Sequence, residues 1–96
     1  MNGVRGEVRA MLGGAERQLC LTLGALAEIE TVLGVDGLNA LAARLKALSA
    51  RDLLAVLAAL LRGGGEGDLA VQISGLKLDP REAAEAVSRA FLAAAE

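Results

Sequence analysis

The chain has 96 residues, 10 basic and 12 acidic, for a formal net charge of −2. It carries one Cys, no His and a single aromatic residue, Phe91. These counts exclude an internal disulfide, a cysteine-based zinc site and histidine acid–base chemistry, and they supply neither the basic footprint nor the stacking platforms of nucleic-acid binding. Hydrophobic residues make up 54% of the chain, almost all Leu, Ala and Val, which favours helices. The length fits one domain, 1–96, with a modest core.

Residues 1–21 read as a β-hairpin. Val8, Ala10 and Leu12 alternate with Glu7, Arg9 and Met11. After a Gly-Gly turn, Arg17, Leu19 and Leu21 alternate with Gln18 and Cys20. The pattern predicts Val8, Ala10, Leu12, Leu19 and Leu21 against the core, with Arg5, Glu7, Arg9 and Gln18 in water. A lone hairpin is marginal, so it is expected to lie on helices with its outer edges free to pair.

The 22–62 region predicts three helices. In the first, Thr22 is the N-cap, Leu23–Leu33 the body and Gly34 the stop. Its expected stripe is Leu23, Leu26, Ala27, Ile29 and Leu33, with Glu28 pointing away. Glu30 falls at the stripe's rim and has two readings: methylenes covering the core edge, which is favoured, or an anchor for a partner or an Arg. The second helix is expected over Leu38–Leu48 with Asp36 as cap, a stripe of Leu38, Leu41, Ala42, Leu45 and Leu48, and Arg44 and Lys46 in water. The third opens on a capping box of Ser49 and Asp52 and runs to about Arg62. Its apolar face spans nearly half the circumference, as in a central helix packed on two sides or one that keeps part of its face for a partner. The first is favoured.

"RGGGEGD", residues 62–68, lacks the G-K-[ST] of a phosphate loop. It reads as a C-cap followed by a flexible linker, 63–67. Residues 68–78 suit a strand or a short helix ending at Gly75, with helix preferred. In the last helix Asp79 caps, Pro80 takes the first position and Glu82 the third. Ala83, Ala84, Val87 and Phe91 are its expected buried side. Phe91 is a core plug or a docking knob. The 68–96 region thus completes an α+β, mostly α fold: an N-terminal hairpin packed on about four short helices.

The N-terminal "MNGVRGEVRA" lacks the apolar core of a signal peptide. The longest apolar run, Leu53–Leu61, falls short of the roughly 20 residues a membrane span requires. No membrane partner is expected, and a cytoplasmic setting is. Ser49, Ser74 and Ser88 have no His to activate them, and Glu28 and Glu30 point in different directions. No catalytic residue, cofactor, metal or small-molecule substrate is expected. Binding or assembly remains.

"RGEV" at 5–8, the hairpin, "LTLGALAEIETVLG" at 21–34, "SARDLLAVLAALLRGGG" at 49–65 and the Ala-rich final helix with "AF" come in an order that resembles one family. It is the small tail protein of gene transfer agents and related prophages, described as a tail assembly chaperone or a tail tube protein. The likeness covers nearly the whole chain and departs most at 66–78. It implies a role in building a phage-like tail, with the tape-measure or other tail proteins as partners. A chaperone would keep the tape-measure protein's apolar helices soluble. A tube subunit would form rings and stay in the particle. Material for one hairpin favours the chaperone. A small homodimeric adaptor is the rival from another class. The family motif marks Leu23, Gly24, Leu26, Glu28, Glu30, Leu33 and Gly34, with Gly24 suited to close packing on the hairpin. Candidate partner-binding residues are Glu28, Glu30, Leu54, Leu57, Leu61 and Phe91, with Leu54, Leu57 and Leu61 forming an apolar groove.

Overall fold

The computed structural model describes residues 7–95, so Arg5 and the start of "RGEV" lie outside the described residues. The fold is α+β and mostly α. Strands β1 (Glu7–Leu12) and β2 (Ala15–Cys20) form an antiparallel hairpin, followed by α1 (Leu23–Leu33), α2 (Leu38–Leu45), α3 (Ala50–Gly63), α4 (Gly67–Val71), a 3₁₀ turn (Ile73–Gly75) and α5 (Pro80–Ala95). Leu12 pairs with Ala15 across a two-residue turn. Gly13 and Gly14 both take positive φ, 64° and 86°, as a turn that follows the twist of the strands requires.

The helix signals translate directly. The Thr22 hydroxyl accepts from the Ala25 N–H at 3.0 Å, and Gly34 closes α1 in the left-handed region at φ 69°. Ser49 and Asp52 form the reciprocal capping box of α3. The Asp79 carboxylate accepts from the Arg81 N–H at the start of α5. The segment after the glycines is helical, as preferred.

α3 is the central helix. Six consecutive residues, Val56 to Leu61, are buried, because α1, α4, α5 and β2 all lie against it. Leu12, Leu19, Ile29 and Leu41 complete the best-buried part of the core. Ala and Leu dominate that core, so its helices approach closely and it is thin; the molecule measures 33 × 32 × 21 Å.

Several expectations shift. In α1 the buried line is Ala25, Ile29 and Leu33, while Leu23 is 83% exposed and Ala27 is exposed too. Ala25, not Leu23, is the N-terminal residue that α1 turns inward, where α1 lies against α3. α2 stops at Leu45, and its cap position is Gly37, with no side-chain cap from Asp36. In α5 the small residues Ala83, Ala86 and Ala90 join Val87 inside, and Ala84 is exposed. Gln18, expected in water, is half-buried, and its neighbour Cys20 is fully buried.

The glycine stretch explains the last point. It supplies the C-cap, but it is a packing surface as well as a link. An added Cβ on Gly63 or Gly64 would press on the backbone carbonyls of Cys20 and Gln18 respectively, closer than real Cβ atoms come. The C-terminal end of α3 therefore lies directly on the outer edge of β2. Glu66 finishes the closure by accepting the Gln18 N–H at 3.0 Å. Gln18 Nε2 donates to the Gly64 carbonyl at 3.3 Å and to Glu7 at 2.7 Å. The edge expected to be free on this side is thus sealed. Gly24 meets nothing but Thr22 Oγ1 at 3.9 Å, so the close packing on the hairpin belongs to Gly63 and Gly64.

Candidate partner-binding groove

The start of α1, the whole of α2 and the end of α5 enclose an apolar groove. One part, of about 490 Å³, lies between Leu23 and Leu26 of α1, Leu38 and Leu45 of α2, and Phe91 of α5. A second, of about 710 Å³, continues past Leu45 and Phe91 toward Leu53, Leu92 and Lys46. Ala42, Leu45 and Phe91 line both parts, so the two read as one channel with Phe91 at its middle. Leu23, Leu38 and Leu92 stand at its margins 83%, 67% and 66% exposed. Large aliphatic side chains gathered around a concavity mark an interaction surface, unlike singly scattered ones.

The groove exists because α2 stands off from the body. Leu41 is its one buried residue among the described residues. Two polar ties position the helix at its ends. The Gly37 N–H donates to the Glu30 carboxylate at 2.9 Å, which fixes where α2 begins. Arg44 pairs with Asp52 and donates to the Ala47 carbonyl at 2.8 Å, which fixes α2 to the first turn of α3. The Arg44 guanidinium holds the Asp52 carboxyl below its ordinary value of 3.8. Arg44, expected in water, is thus a brace.

The six candidate residues separate on this frame. Phe91 is half-buried and lies in the groove. Glu30 is not on the groove's wall; it places α2. Glu28 pairs with Arg62 and ties α1 to the end of α3. Leu57 and Leu61 are fully buried, so the three leucines do not form an open groove along α3. The expected apolar groove on α3 is corrected on that point: the wide face is covered by its neighbours. Leu54, half-buried, and Leu57 both line a smaller hollow of about 220 Å³ beside Leu76, Leu78 and Pro80. Missing from the sequence reading were Leu38, Ala42, Leu45 and Leu92. The signal for the first three was available in the stripe of the second helix, which has more leucine than its single buried position uses; Leu92, in α5, had none.

Chemically the groove offers contact area and little else. Small-molecule sites of this volume have placed polar groups that orient a ligand, whereas here leucines, alanines and Phe91 prevail, with Thr22, Lys46 and Ser88 at the periphery. Among the described residues no cluster of three His, Cys, Asp or Glu could hold a metal ion, and no helix is long and apolar enough to cross a membrane.

No curated protein and no solved structure matches the chain. One family model does, described as "Phage tail tube protein, GTA-gp10", and it matches residues 5–95. That span takes in the hairpin, every helix and the groove between α2 and α5, so the chain belongs to the GTA-gp10 phage tail tube protein family.

Proposed function

We propose that this chain is a tail assembly chaperone: a non-enzymatic protein of the host cytoplasm that binds the tape-measure protein while a phage-like tail is built. The observation that carries this reading is the groove around Phe91. An apolar channel with exposed leucines at its margins suits the apolar face of a helix, read at i, i+3, i+4 and i+7. On this reading the tape-measure protein presents long apolar helices of that kind until the tube encloses them. The loose placement of α2 supports the same reading, since a helix with one buried anchor can shift to admit partners of differing side-chain size.

The family's own description as a tail tube protein favours a second reading, a structural subunit. A ring needs surfaces that pair subunit to subunit. Among the described residues there are two strands, and the β2 edge is closed by Gly63, Gly64 and Glu66, which weighs against it.

Co-expression with the tape-measure protein encoded nearby tests the proposal. The expected result is a soluble tape-measure protein that elutes with this chain. Leu38→Asp and Leu92→Asp, both on exposed margins, should leave the fold intact and abolish the complex. A complex unaffected by both substitutions would rule out the groove as the binding site.

A further inference from the structure

The β2 edge is sealed, but the β1 edge is not. The Gln18 N–H turns outward to Glu66, which sets the phase of the ladder. Gln18 and its partner Arg9 form a non-hydrogen-bonded pair, so the N–H and C=O of Arg9 point out of the opposite edge. Alternation places the backbone groups of Glu7 and Met11 the same way. Among the described residues none of these groups takes a hydrogen bond. An open edge of this kind is a template for another strand.

We propose that β1 pairs with β1 of a second copy, antiparallel about a two-fold axis at Val8, to give a continuous four-stranded sheet. The charge pattern selects the partner and the register. Centring the axis on Val8 sets Glu7 opposite Arg9 of the other copy and Arg9 opposite its Glu7, with the two Val8 side chains meeting on the axis. Both charged pairs fall at positions where outward backbone groups can exchange hydrogen bonds. Centring on Glu7 or on Arg9 would oppose like charges, which is destabilising. Centring on Ala10 would set Arg9 against Met11 and leave the charges unmatched.

Among the described residues the side-chain ties at the β1 edge are compatible with this arrangement. The Arg9–Glu16 pair is exposed, with side chains 69% and 60% accessible, and such pairs are weak. Glu7 accepts from Gln18 through Oε2, and a carboxylate has acceptor capacity for a guanidinium as well. Because the β2 edge is closed, pairing uses up the one open edge of the hairpin and stops at two copies. The inference is independent of the chaperone reading, since it concerns the purified chain alone and a surface distinct from the groove.

Sedimentation of the purified chain, the Arg9→Glu chain, the Glu7→Arg chain and an equimolar mixture of the two variants tests it. The native chain should form a dimer. Each variant alone opposes like charges twice per dimer and should dimerise about tenfold more weakly or worse. The mixture restores both Glu–Arg pairs and should recover the dimer as a heterodimer. Amide exchange on the native chain supplies a check that needs no variant: the Arg9 amide should become protected as concentration rises. A native chain that stays monomeric, variants that dimerise as well as the native chain, a mixture that does not recover, or Arg9 exchange independent of concentration would each overturn the proposal.

Discussion

Replacing Gly64 with Ala should destabilise the protein, although its backbone conformation suits alanine. Gly64 has φ −87° and ψ 1°, so alanine there restricts the unfolded chain and by itself would add about 0.4–1 kcal/mol of stability. Space decides otherwise. Besides the Gln18 carbonyl oxygen, the new Cβ would lie 2.7 Å from the Gln18 carbonyl carbon and 3.0 Å from the Leu19 Cα, where ordinary contacts begin at 3.4 Å. These are backbone atoms of a paired strand, so the end of α3 must move off β2. Overpacking of this kind costs about 1–3 kcal/mol. Stretching the bonds from Gln18 to Glu66 and Gly64 costs about 1–2 kcal/mol more. The net loss is about 1–4.5 kcal/mol, centred near 3, which for a chain this size lowers the Tm by roughly 5–35 °C. Gly67→Ala is the control: its Cβ meets nothing within 4 Å, and the substitution should be neutral or raise stability by up to about 1 kcal/mol. Thermal unfolding followed by far-ultraviolet circular dichroism reads both. A Gly64→Ala protein as stable as the native chain would refute the close contact between α3 and β2.

Leu57 is fully buried in α3, so Leu57→Asp should abolish folding and Leu57→Ala should cost about 2–5 kcal/mol in urea unfolding; a folded Leu57→Asp chain would contradict the core as described. Asp52 has a folded-state pKa lowered chiefly by its hydrogen bond from Arg44, so its contribution is present above its unfolded value and is lost as pH falls through the lowered one. Asp52→Asn should therefore reduce stability at neutral pH and flatten the acid limb of the stability profile, and an unchanged limb would count against the Arg44–Asp52 brace. Burial, and secondarily the charge of Glu7, raises the Cys20 thiol, so alkylation by iodoacetamide at neutral pH should wait for unfolding; reaction at the rate of a small thiol would show that the end of β2 opens readily.

Local rules carried most of the fold into the sequence. Thr22, Gly34, Ser49, Asp52 and Asp79 mark helix ends through short-range bonds, and those ends lie where the residues put them. The Gly-Gly turn and the alternation around it likewise specify the hairpin. What the sequence concealed is long-range. Nothing beside "RGGG" reveals that the carbonyls of a strand some 45 residues earlier need its bare Cα atoms, as the 46-residue separation of Gln18 and Gly64 shows. The same contact buries Cys20 and half-buries Gln18, which the alternation placed in water. The candidate site suffered similarly. The broad apolar face of α3 is that of the central helix it was favoured to be, enclosed by four neighbours, so the groove expected on part of that face is not there, and the narrow stripe of α2, with almost no neighbours, supplies the open surface instead. Apolar width records how much an element could bury, while exposure depends on which elements reach it. Glu30 illustrates a further point: its position at the rim of α1 was legible, but its partner, the Gly37 N–H, depends on a loop geometry that spacing alone does not give.

The central claim, a chaperone that assists tail assembly without joining the tail, is tested most directly by quantifying this chain in purified particles. Mass spectrometry of intact particles, calibrated against the tape-measure protein of the same preparation, provides the measurement. The account predicts that the chain is absent from finished particles while it co-elutes with the tape-measure protein in lysates of assembling cells. Several copies per tape-measure chain in the particle would contradict it and make the protein a structural component of the tail.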